Sequence, residues 1–292
     1  MQLIDGKLLS KRIKTEIATE VETLIAGGHK RPHLAAVLIG DNPASQSYVR
    51  SKVRSCEQVG FESSLIKREA DISEDELLAI IAQLNADEGV DGFIVQLPLP
   101  KHISEEQVTL AIAPEKDVDG FHPMNFGRMA QGLPCFLPAT PFGILQMLER
   151  YEIEVTGKEC VVLGRSNIVG TPISILLSRK ARPGNATVQL CHSRTVDLPQ
   201  HTRRADILIA AIGIPEFVTA DMVKEGAVVI DVGINRVDDP TAKRGYRLVG
   251  DVAFDSVAPK CSYITPVPGG VGLMTVTSLL MNTLKACKKE IY

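Results

Sequence analysis

The sequence has no apolar run long enough to cross a membrane. Its longest run, ILIAAIGI, covers only residues 207–214, whereas a spanning helix needs about 20 apolar residues. We do not expect the first residues to act as a secretory signal, because charged side chains such as Asp5, Lys7 and Lys11 interrupt them. We therefore expect a cytoplasmic protein without a membrane partner.

The sequence also has no large excess of charge of either sign and no paired cysteines. Its 32 lysines and arginines oppose 35 acidic residues, for a formal net charge of −3, so the overall charge does not favour binding to nucleic acid. The six cysteines are scattered and form no CxxC motif, which disfavours a disulfide framework or a zinc site. We expect reduced, buried thiols and no bound metal.

Strand and helix patterns alternate through the first part of the chain. Residues 6–26 have a helical pattern, and HLAAVLIG at 33–40 is typical of a buried strand. Ser73, followed three residues later by Glu76, predicts a capping box at the start of another helix. Further patterns predict a helix over 45–59 and strands over 61–67 and 91–100. Such alternation predicts an α/β domain with a mostly parallel sheet.

Residues 113–138 interrupt this alternation. They are rich in proline and glycine and show little periodicity, and a connection of that length in a compact domain is usually functional or marks a boundary. Thr140-Pro141 then predicts the start of a helix, with Thr140 as the N-cap and Pro141 as the first helical residue. We expect a second domain to begin here.

The second region opens with a strand, a glycine turn and a helix, in KECVVLGRSNIVGTPISILLSRK at 158–180. Three more strand-like runs follow, at 186–195, 205–213 and 226–235. Four such runs with intervening helices predict a Rossmann-like, doubly wound dinucleotide-binding fold.

The glycine turn departs from the usual dinucleotide fingerprint, since Gly164 and Gly170 are six residues apart and Ser166 replaces the middle glycine. We favour a phosphate site because the amides of a helix N-terminus point at a phosphate bound there. Arg165 and Ser166 add further donors. A tight turn without a ligand is the alternative.

The second strand of this region distinguishes between two cofactors. An NAD site usually has an acid at this strand end for the ribose 2′-hydroxyl, but here Cys191 is followed by the sequence HSRT at 192–195. The Arg194 cation and its hydroxyl neighbours suit a 2′-phosphate, so we expect NADP rather than NAD. A plain surface charge is the alternative for Arg194. A later glycine-rich stretch, 265–275, would let backbone approach a ligand closely.

The stretch SYVRSKVRSC, residues 47–56, carries three cations on one predicted helix. At about 100° per residue, Arg50 and Arg54 fall on the polar side of this helix. Lys52 falls on the apolar side, one turn from Tyr48. Either the Lys52 stem packs while its ammonium reaches water, or burial lowers its pKa so that it exchanges protons near neutral pH.

Two other polar features lie where a site would form. Gln96 interrupts the apolar strand FIVQLPLP near its C-terminal end, and ligands collect at such strand ends in open α/β sheets. Asp119 and His122 lie in the Pro- and Gly-rich segment, where ordinary loop polarity is the alternative for both.

Five motifs across almost the whole chain resemble the bifunctional methylenetetrahydrofolate dehydrogenase/cyclohydrolase family. They are YVRSK at 48–52, IVQLPLP at 94–100, PEKDVDGFHP at 114–123, GRSNIVGTP at 164–172 and PVPGGVG at 266–272. The resemblance implies that NADP⁺ oxidises 5,10-methylenetetrahydrofolate to 5,10-methenyltetrahydrofolate, which is then hydrolysed to 10-formyltetrahydrofolate. It implies one cleft shared by two domains, a homodimer, and a place in one-carbon metabolism and purine biosynthesis.

The resemblance also implies roles for individual residues. Lys52 is expected to move protons in the hydrolysis, oriented by Tyr48 and Gln96, which are expected to be catalytic too. Asp119 is expected to bind the pterin. The other expected substrate-binding residues are Tyr48, Gly269 and Gly270, and the expected cofactor residues are Gly164, Arg165, Ser166, Ser193, Arg194 and Ile234.

The family architecture implies a catalytic domain of residues 1–139, completed by a C-terminal helix at 272–292, and an NADP-binding domain of residues 140–271. The chain departs from the family at two positions, because the family commonly has cysteine at Ala139 and proline at Leu273. Leu273 follows the glycine-rich loop and could alter the wall of the cleft.

Two rival functions remain open from the sequence. One is a methylenetetrahydrofolate dehydrogenase that lacks the cyclohydrolase activity. The other is a catalytically silent NADP-binding module, which predicts the loss of Lys52, Gln96 or Asp119. All three of these residues are present, so the sequence favours an enzyme over the silent module.

Overall fold

The computed structural model describes residues 1–242 and 245–292, with the backbone alone at position 44. This part of the chain divides into two compact units. Residues 1–10 and 140–275 form one of them, which we call the six-stranded unit after its main sheet. Residues 11–139 and 276–292 form the other, the three-stranded unit.

Strands and helices alternate along most of the described residues, with two exceptions: α4, α5 and α6 follow one another, and so do β8, β9 and β10. The strands are β1 (Gln2–Leu3), β2 (His33–Ile39), β3 (Glu62–Arg68), β4 (Gly92–Val95), β5 (Glu159–Leu163), β6 (Thr187–Cys191), β7 (Ile207–Ala210), β8 (Val228–Asp231), β9 (Asn235–Asp238), β10 (Tyr246–Val249) and β11 (Tyr263–Ile264). The helices are α1 (Gly6–Ala26), α2 (Pro43–Gln58), α3 (Glu74–Ala86), α4 (Glu105–Ala111), α5 (Pro123–Ala130), α6 (Ala139–Arg150), α7 (Gly170–Ser178), α8 (Leu198–Thr202), α9 (Phe254–Val257) and α10 (Val271–Cys287). Among these helices, as far as the structure describes them, none is both long and apolar enough to span a bilayer.

The sheet of the three-stranded unit has the order β3–β2–β4, and both pairings are parallel. All residues of β2 are buried, as expected of a central strand in a parallel sheet. Side chains of α3 and α4, including Leu77, Ile81 and Val108, belong to the same core cluster as those of β2 and β4. The backbone amide of Gln96 donates to the Val37 carbonyl at 2.9 Å. The ladder therefore continues past β4 and places Gln96 at the carboxyl edge of the sheet.

The main sheet of the six-stranded unit has the order β1–β11–β8–β7–β5–β6, with every pairing parallel. β5 lies between β6 and β7, the two strands that follow it along the chain. The direction of winding therefore reverses at β5, and ligands of open α/β sheets bind at the carboxyl edge beside such a reversal. β9 and β10 form a separate antiparallel ladder. The parallel α/β units and the Rossmann-like winding expected from the sequence are confirmed.

The position of the first ten residues differs from expectation. We expect them with the rest of residues 1–139, but β1 pairs in parallel with β11, with Gln2 opposite Tyr263. Residues 1–10 therefore belong to the six-stranded unit. This unit also extends to Thr275, past the expected end at 271. A strand of two residues carries too little sequence pattern to reveal its partner.

Two local predictions concern helix starts. The capping box is confirmed, because the Glu76 amide donates to Ser73 Oγ at 3.2 Å and the Ser73 amide donates to the Glu76 carboxylate at 3.0 Å. By contrast, α5 is a helix within the segment predicted to lack periodicity. His122 accepts a hydrogen bond from the Met124 amide at its N-cap, so a short capped helix forms without a long apolar pattern.

The C-terminal helix α10 completes the loops of the three-stranded unit. Asn282 is buried, with 1% exposure, and its side-chain amide donates to the carbonyls of Val118 and Leu137 at 2.8 and 2.9 Å. These carbonyls belong to the Pro- and Gly-rich segment, residues 113–138. One side chain therefore satisfies two buried acceptors.

Replacing Asn282 by alanine is expected to lower the free energy of unfolding by about 2–4 kcal/mol, because two buried carbonyls lose their donor. Urea unfolding followed by circular dichroism measures this change. Asn282→Asp, which keeps the size but removes the donors, is expected to destabilise the protein at least as much. A loss below about 0.5 kcal/mol, the range of ordinary surface substitutions, would contradict the assigned role.

Candidate active site

Helix α2 turns Lys52 into the interior of the three-stranded unit. Val49 and Cys56 on the same helix are each 1% exposed, and Lys52 is 8% exposed. Arg50 and Arg54 are exposed. The division of the three cations predicted from the helical periodicity is therefore confirmed.

Lys52 meets Gln96 at the carboxyl edge of β4. The Lys52 Nζ donates to Gln96 Oε1 at 3.2 Å. The Gln96 Nε2 donates to the carbonyl of Leu97 at 2.7 Å, and this second bond fixes the orientation of the amide. The oxygen of Gln96 therefore faces the ammonium of Lys52. Two residues 44 positions apart are brought together.

Burial lowers the pKa of Lys52 from its ordinary value, and the charge of Asp119 opposes that shift. A Cys56 thiolate would oppose it too, but burial raises the pKa of Cys56 to about 12. The thiol is therefore neutral near pH 7, and Asp119 is the anion that matters to Lys52. A lysine in this environment releases its proton more readily than one in water.

Tyr48 lies one turn before Lys52 on α2, and residues four apart share a helix face. It is 45% exposed, in contrast to the buried lysine. Its ring is thus accessible to a ligand that approaches the lysine from this side.

Asp119 lies in a loop held by a second aspartate that sequence reasoning missed. Asp117 is 2% exposed. Its carboxylate accepts from the amides of Phe121 and His122 at 3.2 and 2.8 Å and from the Asn125 side chain at 2.9 Å. Burial raises the pKa of Asp117 to about 7, against these three bonds. The loop is therefore closed around Asp117, while Asp119 remains half-buried.

His122 and Asn125 hold this segment as well. The Asn125 side chain donates to the Pro114 carbonyl at 3.0 Å and accepts from the Phe136 amide at 3.2 Å. His122 Nδ1 accepts from the Met124 amide at 3.0 Å. His122 is thus occupied as a helix cap. The spacing of Asp117, inside the motif at 114–123, and Asn125, two residues past its end, is the signal that could have revealed the network.

The dinucleotide-type turn lies in the six-stranded unit, directly after β5. Gly164 has a φ of +104°, and a Cβ there would lie 2.0 Å from the Ala211 carbonyl oxygen. A Cβ on Gly170 would lie 1.9 Å from the Gly164 oxygen. Both positions therefore require glycine, and the turn is pressed against the segment that follows β7.

Ser166 and Arg165 lie at the top of this turn and are exposed. Ser166 Oγ accepts from the amides of Val169 and Gly170 at 3.2 and 3.4 Å. Its hydroxyl proton is left for another acceptor. An exposed hydroxyl, an exposed guanidinium and the N-terminus of α7 are groups that fit a bound phosphate.

The segment after β6 forms a closed turn. The His192 amide donates to Thr195 Oγ1 at 2.9 Å, and the Arg194 amide donates to His192 Nδ1 at 3.2 Å. Ser193 and Arg194 are exposed, and residues 192–196 contain no acid. These donors fit the 2′-phosphate of NADP better than a free ribose hydroxyl.

The glycine-rich loop after β11 is tied to the start of α1. The Lys7 amide donates to the Gly269 carbonyl at 3.2 Å. A Cβ on Gly6 would lie 2.2 Å from the Gly270 oxygen, and one on Gly270 would lie 2.5 Å from the Pro266 oxygen. Gly269 itself has a φ of +110°. Gly269 and Gly270, expected to bind the folate, thus belong to the six-stranded unit, whereas Lys52, Gln96 and Asp119 belong to the other unit.

Ile234 and the two departures from the family pattern have clear positions. Ile234 is 46% exposed, and its Cδ1 lies where a Cβ on Gly272 would come within 2.8 Å. The Leu273 amide donates to the Gly270 carbonyl at 3.3 Å, a bond that proline could not make. Its side chain is 40% exposed, whereas Ala139 is 1% exposed. Leu273 thus adds a backbone bond to the first turn of α10.

Within residues 1–242 and 245–292, no group of three or more His, Cys, Asp or Glu side chains is arranged to hold a metal ion.

Two family models match the chain. Residues 4–119 match the tetrahydrofolate dehydrogenase/cyclohydrolase catalytic domain, and residues 138–291 match the NAD(P)-binding domain of the same family.

Relatives match over nearly the full length. The chain is 64% identical to the bifunctional protein FolD of Cytophaga hutchinsonii, over 98% of this chain and 99% of that protein. It is similar to the crystal structure of the bifunctional methylenetetrahydrofolate dehydrogenase/cyclohydrolase from Campylobacter jejuni, with a TM-score of 0.93, 48% identity and 99% coverage of both chains. The enzyme of Trypanosoma brucei, in complex with NADP cofactor and an inhibitor, gives a TM-score of 0.92 and 38% identity, over 99% of this chain and 98% of that one. The chain belongs to the tetrahydrofolate dehydrogenase/cyclohydrolase family.

Proposed function

We propose that this protein oxidises 5,10-methylenetetrahydrofolate with NADP⁺ and hydrolyses the methenyl product to 10-formyltetrahydrofolate. The observation that carries the proposal is the buried ammonium of Lys52 hydrogen-bonded to Gln96 at 3.2 Å. A desolvated lysine can take and return a proton near neutral pH, and the hydrolysis requires such a group.

In the first reaction, NADP⁺ when bound accepts the hydride of the methylene carbon between N5 and N10 of the folate. The chain positions the two reactants. The turn of Gly164, Arg165 and Ser166 holds the diphosphate, Ser193 and Arg194 hold the 2′-phosphate, and Ile234 contacts the nicotinamide end. The exposure of the polar side chains in this set and the absence of an acid at 192–196 support these roles.

In the second reaction, water attacks the methenyl carbon, which is an amidinium-like electrophile. Lys52 accepts one proton of the water as the carbon–oxygen bond forms and returns a proton to N5 as the carbon–N5 bond breaks, while the second proton of the water leaves to solvent as the formyl carbonyl forms. The formyl group then remains on N10. Gln96 accepts a hydrogen bond from Lys52 and so keeps its Nζ directed at the reacting carbon. Tyr48, exposed one turn away, orients the same substrate face.

Asp119 binds the pyrimidine edge of the pterin through charge-assisted hydrogen bonds, and its loop is held in place by Asp117. The backbone of Gly269 and Gly270 approaches the substrate, which their lack of a side chain permits.

A monofunctional dehydrogenase is less well supported, because relatives at 64 and 63% identity are bifunctional and Lys52, Gln96 and Asp119 are all present. The same retention of polar groups argues against a silent NADP-binding module. We also propose a homodimer that acts in the cytoplasm and supplies purine biosynthesis.

Replacing Lys52 by methionine is expected to lower the hydrolysis of methenyltetrahydrofolate by at least about 100-fold, the usual contribution of a proton-transfer group. Loss of methenyl absorbance measures the rate. Arg54→Met removes a cation from the exposed side of the same helix and is the matched control, with a rate close to that of the wild type. Normal hydrolysis by Lys52→Met would remove Lys52 from the mechanism.

The hydrolysis is also expected to accelerate as pH rises through the lowered pKa of Lys52. Neutral lysine is the base, and burial shifts its pKa below the ordinary value of 10.5, so the active form accumulates at a lower pH than for a free lysine. A pH–rate profile of the hydrolysis measures this rise of rate with pH. The rise is expected to disappear in Lys52→Met, and its persistence there would assign the titration to another group.

Replacing Arg194 by alanine is expected to raise KM for NADP⁺ by about 10-fold or more, since a hydrogen bond to a charged group contributes about 1.5–3 kcal/mol. KM for NAD⁺ is expected to change little, because NAD⁺ lacks the 2′-phosphate. Initial rates with both cofactors test this, with the exposed Arg50→Ala as control. An equal rise of KM for both cofactors, or more efficient use of NAD⁺ than of NADP⁺ by the unaltered protein, would contradict the NADP assignment.

A further inference from the structure

A buried carboxylate joins two loops at the carboxyl edge of the six-stranded unit. Asp251 is 0% exposed. Its Oδ2 accepts from the amides of Ile212 and Gly213 at 2.7 and 3.0 Å, and its Oδ1 accepts from the Asn235 side chain at 2.9 Å. The first two residues follow β7, and Asn235 begins β9. Asp251 thus connects the chain after one strand of the sheet to the chain after its neighbour.

Two glycines, Gly233 and Gly250, pack so closely against buried aspartates that neither position has room for a side chain. A Cβ on Gly233 would lie 2.2 Å from Asp251 Oδ1, and one on Gly250 would lie 1.7 Å from Asp231 Oδ2. Asp231 in turn accepts from the amides of Asp251 and Val252 at 2.9 and 3.0 Å. The two aspartates and two glycines therefore interlock, which leaves Asp251 little freedom to move.

The loops that Asp251 joins carry the proposed nicotinamide end of the cofactor site. Ala211, whose carbonyl oxygen lies against Gly164 of the dinucleotide turn, directly precedes Ile212. Ile234 directly precedes Asn235. A shift of the Asp251 side chain would therefore move both the support of the phosphate turn and the residue assigned to the nicotinamide.

We propose that Asp251 is a positioning residue for hydride transfer, which fixes Ile234 and the 211–213 segment without touching the cofactor itself. This inference rests on the proposed function of the six-stranded unit. A role of Asp251 in hydride transfer can be told apart from a general effect on the enzyme by comparing the two activities, because hydrolysis of supplied methenyltetrahydrofolate needs no hydride transfer. Loss of positioning therefore affects the dehydrogenase reaction and spares the cyclohydrolase reaction.

The donors and acceptors in these three bonds suggest a substitution that alters one bond selectively. All groups that face Asp251 in these bonds are N–H donors, and an ionised carboxylate is an acceptor only. In Asp251→Asn, the remaining oxygen can accept from the two amides, but the new NH₂ group then faces the NH₂ group of Asn235. Asn235→Asp in the same chain supplies an acceptor for that NH₂ group. The double variant therefore restores the pairing with donor and acceptor exchanged.

The experiment compares Asp251→Asn, Asn235→Asp and the double variant in both assays. Displacement of reacting groups by about 1 Å costs on the order of 100-fold in rate, so dehydrogenase kcat is expected to fall about 10- to 100-fold in Asp251→Asn. KM for NADP⁺ is expected to change by a smaller factor than kcat, because Ser193 and Arg194, proposed to hold the 2′-phosphate, follow β6 and are not joined to Asp251 by its three side-chain bonds. Cyclohydrolase activity is expected to remain within about twofold of the wild type. The double variant is expected to recover most of the dehydrogenase kcat.

Several results would overturn the proposal. Parallel loss of both activities would mean that Asp251 only supports folding, and an unchanged dehydrogenase kcat would mean that it positions nothing. If the dehydrogenase kcat of the double variant does not exceed that of both single variants, the exchanged donor–acceptor pairing is refuted. If Asp251→Asn does not fold, Asn235→Ala decides, since it removes one bond only and is expected to lower dehydrogenase kcat selectively. An unaltered protein without dehydrogenase activity would instead refute the proposed function.

Discussion

The placement of one ammonium group inside the protein constrains the three-stranded unit. Lys52 shares its helix face with Val49 and Cys56, so the apolar packing of α2 carries the charge away from water. Gln96 supplies an uncharged acceptor, and a carboxylate in its place would have held the proton more firmly. The combination of burial and a neutral partner leaves the lysine able to exchange its proton, which is the property that its proposed role in the hydrolysis requires.

The six-stranded unit depends on a different constraint, the close approach of backbone segments. Gly164 and Gly170 let the first turn fold against the end of β7, and Gly233 and Gly250 let two buried carboxylates fit between strands. Short closed turns such as 192–195 carry exposed polar side chains, here the Ser193 hydroxyl and the Arg194 guanidinium. Closely packed backbone thus fixes the geometry of this unit, whereas the buried Lys52 ammonium is the feature that sets the other unit apart.

Local periodicity was sufficient to predict the alternating strands, the capping box at Ser73 and the buried face of α2 that carries Lys52. It could not predict that β1 pairs with β11, because two residues hold no pattern and the partner lies at the far end of the chain. Asp117 and Asp251 escaped for a related reason. An aspartate in a loop has the same appearance in sequence whether it faces water or three converging N–H groups. The amides that bind Asp251 lie 39 and 38 residues before it and meet it only on folding. The donors to Asp117 lie four to eight residues after it, so only their spacing could have indicated the network.

The bonds of Asn282 have a consequence for how the protein is made. The loop that carries Asp119 is held through carbonyls at Val118 and Leu137, and the latter lies 145 residues before the amide that binds it. At about 5–20 residues per second of synthesis, these carbonyls wait roughly 10 s on the ribosome for their partner. The loop that carries Asp119 is thus one of the last parts of its unit to acquire its final bonds, although its own residues are made early.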